Sequence, residues 1–311
     1  MKIGIFCPGA NGDLMYSMSI LKYRNEIWNN AEFIWFTEER FFDLFKYNNV
    51  ETRIFENFME LMTNDFTMDQ SKKHLFKSTS DIDIGFFVYP SWIPVEIRGK
   101  LNHLSECCRF AMGLMNHNIE WRPYLQYSND EIEYVKQFFH SLPKNRYNIL
   151  METQYKSSQS SWNDVMTMNT MQICKREFGE CNFIFASNLE LPDFCNTNSD
   201  RIFTCKSFSI REISLLHDYC DLFIGVSSGI SVAVSSWQNK PVPKIQFCSD
   251  YWASTFPITN ARMELVTNCS QSNRRRLDTG EIIKLTRTEC DAPSDFYSRL
   301  TLLINEIKNK K

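Results

Sequence analysis

The 311-residue chain predicts an α/β protein built as two tandem units, each with a doubly wound parallel sheet. Short apolar runs rich in strand formers alternate with helix-spaced segments along the chain. The length suits two domains of about 150 residues each. Residues 220–248, CDLFIGVSSGISVAVSSWQNKPVPKIQFC, read as a complete βαβ unit. It comprises a strand at 221–226, a Ser227-Ser228-Gly229 turn, a helix at 230–237, a proline-rich stop and a strand from Lys244. In such sheets ligands sit beyond the carboxyl ends of strands, where backbone N–H groups at a helix start can hold phosphate.

Taken in order, residues 2–7 (KIGIFC) form the first strand and residues 8–13 a glycine-containing loop. Residues 14–28 read as a helix with Asp13 near its start, a position where the helix dipole favours a carboxylate. A strand at 32–37, a helix at 39–47 and a short strand within 48–55 follow, then a helical or irregular stretch at 58–75. Residues 83–89 (DIGFFVY) are expected to form a buried strand. Asp81 and Asp83 make a DxD pair before that strand, at the sheet end away from ligands, and so read as its start rather than as a metal site. A helix is expected at 101–114, extended chain at 120–127, where Pro123 forbids helix, and a helix at 130–142 ended by Pro143. A domain boundary near residue 145 divides the chain into 1–145 and 146–311.

The second half opens with a strand at 148–152 and a Ser-rich loop at 156–162. A helix at 164–178, a strand at 182–187 and a loop containing Glu190 come next, then a short strand at 203–205. Ser209 and Glu212 have the spacing of a capping box for a helix reaching about Tyr219. Residues 249–290 lack a clear pattern, and 294–308 form an amphipathic closing helix.

Composition is that of an ordinary globular protein, 43% apolar and 23% charged. A net charge of −3 gives no global field for nucleic acid. The dense basic cluster, Arg274-Arg275-Arg276, reads as a solvated turn, with contact to an anionic membrane or substrate as the alternative. The 11 cysteines are scattered without a CxxC pair, which suits buried thiols in a reducing cytoplasm rather than disulfides or zinc. The five histidines show no metal-like spacing, so a hydrolytic metal site is not expected. The first apolar run is too short for a signal sequence, and no run approaches the ~20 apolar residues of a membrane span.

Several segments together resemble one family. Gly12-Asp13-Leu14 followed by Ser19-Ile20-Leu21, residues 110–114 (FAMGL) with 122–125 (RPYL), residues 207–229 (SFSIREISLLHDYCDLFIGVSSG) and Lys240-Pro241-Val242 are similar to motifs of the bacterial lipopolysaccharide heptosyltransferases. Trp162 matches the Trp after the first strand of that family's second domain. The resemblance implies a GT-B fold, two Rossmann-like domains facing a cleft, with residues 1–145 binding acceptor and 146–311 binding a nucleotide-sugar. It implies metal-independent, inverting sugar transfer to a glycan or lipid-linked acceptor, in the cytoplasm and in peripheral contact with the membrane. The nucleotide-sugar is a co-substrate, and no cofactor is expected.

The same resemblance assigns site residues. Asp13 is the base for the acceptor hydroxyl, with Asn11 and Gly12 in the acceptor loop; a helix cap is the competing reading of Asp13. Ser227, Ser228 and Gly229 meet the donor, Lys156 supplies charge to its diphosphate and Glu190 contacts the nucleotide. An exposed lysine and a solvated glutamate are the ordinary readings of the last two. The sequence departs from the family at Ser227, where an Asp is usual, at Val232-Ala233, near a usual His, and at Ser160, where a Lys is usual. These departures leave open another donor sugar, a nucleotide-sugar epimerase or hydrolase, or a relative that binds without catalysis.

Overall fold

The computed structural model describes residues 1–7, 9–54, 81–89, 93, 97, 101, 104–117, 119–153, 162, 164–186, 201–226, 228–249, 263–267 and 294–309. The chain forms two compact units. The first is Met1–Ser128 with Ser236–Gln238; the second is Asn129–Ser235 with Asn239–Lys311.

In the first unit, β1 (Lys2–Phe6), β2 (Glu32–Thr37), β3 (Glu51–Ile54) and β4 (Ile84–Phe87) form a sheet in the order β3-β2-β1-β4. Its pairings are all parallel. Phe6 stacks on Phe36 at 4.4 Å and on Phe87 at 4.8 Å, joining three strands on one face. The order places a topological switch point between β1 and β4, so the loop leaving β1 opens there.

That loop runs into α1 (Asn11–Ser17), and the rest of the expected 14–28 helix is divided. Met18–Lys22 winds as 3₁₀ and Arg24–Ile27 is a short α2. The expected 39–47 helix is also 3₁₀, over Glu39–Phe45. Apolar spacing selects a buried face in each case, but it does not select the hydrogen-bond pattern that winds it. The 83–89 strand is shorter and less buried than expected: among the described residues β4 stands at one end of the sheet, and Ile84 is 37% exposed. After α3 (Leu104–Ala111), an extended segment ties back to α1 through Trp121 Nε1, which donates to Tyr16 O at 2.7 Å.

The second unit begins with α4 (Asn129–Ser141). Its strands are β5 (Tyr147–Glu152), β6 (Cys181–Phe185), β7 (Ile202–Thr204), β8 (Leu222–Val226), β9 (Lys244–Ser249) and β10 (Met263–Thr267). They order as β10-β9-β8-β5-β6-β7, parallel in every pairing. Numbered within the unit this is the doubly wound order 3-2-1-4-5-6. Its helices are α5 (Asp164–Phe178), α6 (Ile210–His217), α7 (Gly229–Ala233) and α8 (Ser294–Lys308). Ile149, Met151, Phe183, Leu222, Ile224 and Ile245 build the core with α5 and α8. On the opposite face, α6 reaches Phe223 through His217.

Candidate functional site

Each sheet presents one switch point, and sequence-predicted residues stand at both. In the first unit the carboxyl end of β1 leads through Cys7, Gly9 and Ala10 into α1. Asp13 is the third residue of α1, and its Oδ2 accepts the backbone N–H of Ala10 at 2.9 Å. This is the reciprocal half of a capping box, made without a side-chain cap because Ala10 has no acceptor. The cap expected for Asp13 is therefore real, and it holds the carboxylate at the ligand end of β1. Asp13 itself retains intermediate exposure, yet the dense surroundings of its carboxyl desolvate it. Desolvation pushes its pKa up to about 6, against the hydrogen bonds from Ala10 and its own N–H, which favour the charged form. Asn11 and Gly12 are the first two residues of the same helix and are partly exposed.

Two indoles hold α1 in place. Trp35 Nε1, fully buried in β2, donates to Ser17 Oγ at 2.9 Å, and Ser17 Oγ in turn donates to Leu14 O at 2.7 Å. Trp121 grips Tyr16 from the other segment. Beneath the loop lie buried thiols, including Cys7 and Cys108, whose pKa values burial raises far above the ordinary thiol range. They act as small apolar residues.

In the second unit the switch point falls between β5 and β8, which pair with Glu152 opposite Gly225. Glu152 is 3% exposed at the carboxyl end of β5. Sequence reasoning placed it in a strand and gave it no role. The available signal was a carboxylate closing an otherwise apolar strand at the start of a domain. From β8 the chain reaches Ser228 and Gly229. Ser228 caps α7: its Oγ accepts Ser231 N–H at 3.2 Å and its own N–H donates to Ser231 Oγ at 3.0 Å. The Ser228 N–H expected to meet a phosphate is thus engaged by Ser231. The helix itself spans Gly229–Ala233, shorter than the expected 230–237. Residues 236–238 leave it to join the first unit, where Trp237 N–H donates to Pro123 O at 2.9 Å and Arg122 stacks on the Trp237 ring at 4.7 Å.

Ser227, Lys156 and Glu190 lie outside the described residues. Trp162 is a core residue, 6% exposed, with Nε1 donating to Thr167 Oγ1 at 2.8 Å. Asp81 and Asp83 mark the opposite end of the first sheet. Asp83 Oδ2 accepts Lys2 N–H at 2.7 Å, and Asp81 pairs with Arg53 through two 2.9 Å bonds that hold its carboxyl well below the usual range. Among the described residues no group of three or more His, Cys, Asp or Glu could hold a metal ion, and no helix is long and apolar enough to cross a membrane.

Two parallel, doubly wound sheets in one chain, each with its switch point formed, define a protein of twin Rossmann-like units. In sequence the chain matches no family profile and no curated protein. In structure it resembles the glycosyl transferase family 9 protein of Veillonella parvula, with a TM-score of 0.60, 10% identity and 85% of each chain covered. It also resembles the E. coli ADP-heptose lipopolysaccharide heptosyltransferase II, with a TM-score of 0.59, 14% identity, and 99% of this chain and 100% of that one covered. An E. coli heptosyltransferase solved with ADP gives a TM-score of 0.55 at 10% identity, covering 86% of this chain and 94% of the other. The fold of this chain is that of GT-B glycosyltransferases.

Proposed function

We propose that this chain is a glycosyltransferase that moves a sugar from a nucleotide-diphosphate donor to a glycan or lipid-linked acceptor in surface-polysaccharide synthesis. The observation that carries this reading is Asp13, a desolvated carboxylate held at the ligand end of β1 in a GT-B fold. In the reaction, an acceptor hydroxyl oxygen attacks the anomeric carbon and the bond to the diphosphate breaks. Asp13 takes the hydroxyl proton, and the nucleoside diphosphate leaves. A single displacement inverts the anomeric centre. A base tuned to about 6 is ionised near neutral pH and still basic enough to accept that proton.

The second unit binds the donor at the β5–β8 switch point, near Ser228, Gly229 and Glu152, with Ser227 as a further donor contact. Lys156 offsets the leaving diphosphate without a metal, and Glu190 contacts the nucleotide. ADP-sugars are the first donors to test, because one resembling enzyme is an ADP-heptose transferase and another was solved with ADP. A lipid-linked acceptor places the enzyme in the cytoplasm, against the inner membrane face.

The test is a thermal-shift screen of the full chain against ADP-, GDP-, UDP- and CMP-sugars, followed by transfer assays with Asp13→Ala. A donor at about 100 times its Kd adds about 2.7 kcal/mol of stability, a visible shift. The reading requires a hit, acceptor-dependent transfer, and binding without transfer in Asp13→Ala. Acceptor-independent loss of the donor sugar would instead indicate an epimerase or hydrolase. Binding with no turnover would indicate a non-catalytic relative.

A further inference from the structure

We infer that Gly9 is a positioning residue for Asp13: its bare α-carbon is the surface against which the Asp13 side chain lies, and it fixes where the carboxylate is held. The inference deepens the transferase reading and rests on it only for its activity readout. A β-carbon at position 9 would fall on the Asp13 side chain, inside contact distance of Cβ and 2.5 Å from both Cγ and Oδ2. The backbone itself does not demand glycine. Among the described residues the glycines with positive φ are Gly113 and Gly179, and Gly9 is not one of them. An alanine could therefore adopt this backbone, and what resists it is Asp13.

Two features turn that clash into displacement of the carboxylate. The helix cannot retreat, because Trp35 holds it at Ser17 and Trp121 holds it at Tyr16. The oxygen nearest the added methyl, Oδ2, is also the one bonded to Ala10 N–H. Moving it breaks the bond that orients the group. A glycine at 9 and an aspartate at 13 thus work as one unit.

The experiment compares Gly9→Ala in the full chain with wild type, and repeats the comparison in an Asp13→Gly background. The Asp13 carboxyl is titrated by carbon NMR, and the Ala10 amide is followed in the same samples. In Gly9→Ala the Asp13 titration should move away from about 6, and the Ala10 amide should lose its hydrogen-bonded shift. Transfer should fall about 100-fold in kcat with KM little changed, the cost of a misplacement of about 1 Å. The melting temperature should drop in the wild-type background and hold in Asp13→Gly, where the clashing side chain is gone. Unchanged titration and Ala10 shift in Gly9→Ala would overturn the inference, as would an equal loss of stability in both backgrounds. The titration and melting arms need no turnover. If wild type shows no transferase activity, the function falls and the positioning is still decided.

Discussion

Arg211 in α6 is wholly buried and grips Glu131 of α4 with two hydrogen bonds, Nε to Oε1 at 2.9 Å and Nη2 to Oε2 at 2.7 Å. This fork-to-carboxylate pair explains why α4 belongs to the second unit although it precedes the loop that the sequence marks as a boundary. Removing one partner breaks a charge-assisted pair in the interior. Glu131→Gln should destabilise the second unit by about 3–5 kcal/mol, more than Arg211→Met, because it leaves the more deeply buried charge behind. The double change Glu131→Leu with Arg211→Met should recover most of the loss. Urea unfolding, with hydrogen exchange of β5 and β8 amides to localise the effect, measures this. Near-zero cost for Glu131→Gln would show that the pair does not hold α4.

Asp13 gives a prediction in which activity and stability move in opposite directions. As a base with a pKa near 6, it should make kcat/KM rise with pH through about 6 and then level off. Asp13→Asn should remove that limb and lower the rate about 10²- to 10⁴-fold. For stability the sign reverses. The folded pKa lies above the ordinary 3.8, so ionisation costs folding free energy, fully above about pH 6 and not at all below about pH 4. Asp13→Asn should therefore be more stable than wild type at pH 7 and equal to it near pH 4. A wild-type pH–rate profile flat between 5 and 7 would remove Asp13 as the base.

How legible this was depended on the kind of information required. Strongly periodic segments were read to the residue: Glu32–Thr37, Asp164–Phe178 and Ser294–Lys308. The Ser209–Glu212 capping box also formed as its spacing predicts, with Glu212 N–H donating to Ser209 Oγ and Ser209 N–H to Glu212 Oε2. The strand Met263–Thr267 was missed, since its five residues gain their identity from pairing with Lys244–Ser249 rather than from a pattern of their own. At the site, Asp13 had a local rationale as a carboxylate at a helix start, and its role as base came from the resemblance at Gly12-Asp13-Leu14. Glu152 and Gly9 were not, because one acquires meaning from strand order and the other from where a side chain four residues away lies.

His217 should make the second unit acid-labile. It is fully buried at the end of α6, edge-on to Phe223, with Nδ1 3.4 Å from Asp218 and no hydrogen-bond partner for Nε2 among the described residues. Burial holds its pKa down to about 4, assisted by Lys244 and opposed by Asp218. A depressed histidine stays neutral while the unfolded chain protonates, so stability is lost as pH falls from about 6.5 toward 4. His217→Leu should melt within about 1 kcal/mol of wild type at pH 7 and be more stable by on the order of 2 kcal/mol at pH 5. Parallel loss of stability in both proteins between pH 7 and 5 would exclude His217 as the cause.

Gly225 should prove as sensitive as any position in the second sheet. It sits opposite Glu152 at the β5–β8 switch point. A β-carbon there would collide with Cζ of Phe223, stand 2.8 Å from its Cε1 and come within 3.2 Å of Glu152 Cβ. A ring end can usually swing aside, but Phe223 is fully buried and His217 lies against it. The methyl of Gly225→Ala must then be accommodated by overpacking, at about 1–3 kcal/mol, or by moving the end of β5 that carries Glu152. Both routes disturb the place where the donor is proposed to bind. Gly225→Ala should lower the urea midpoint and shrink the thermal shift produced by the nucleotide-sugar, whereas Gly179→Ala, distant from the switch point, should change stability alone. A Gly225→Ala protein with wild-type stability and donor response would mean that Phe223 moves freely and that this end of the sheet has room the structure does not show.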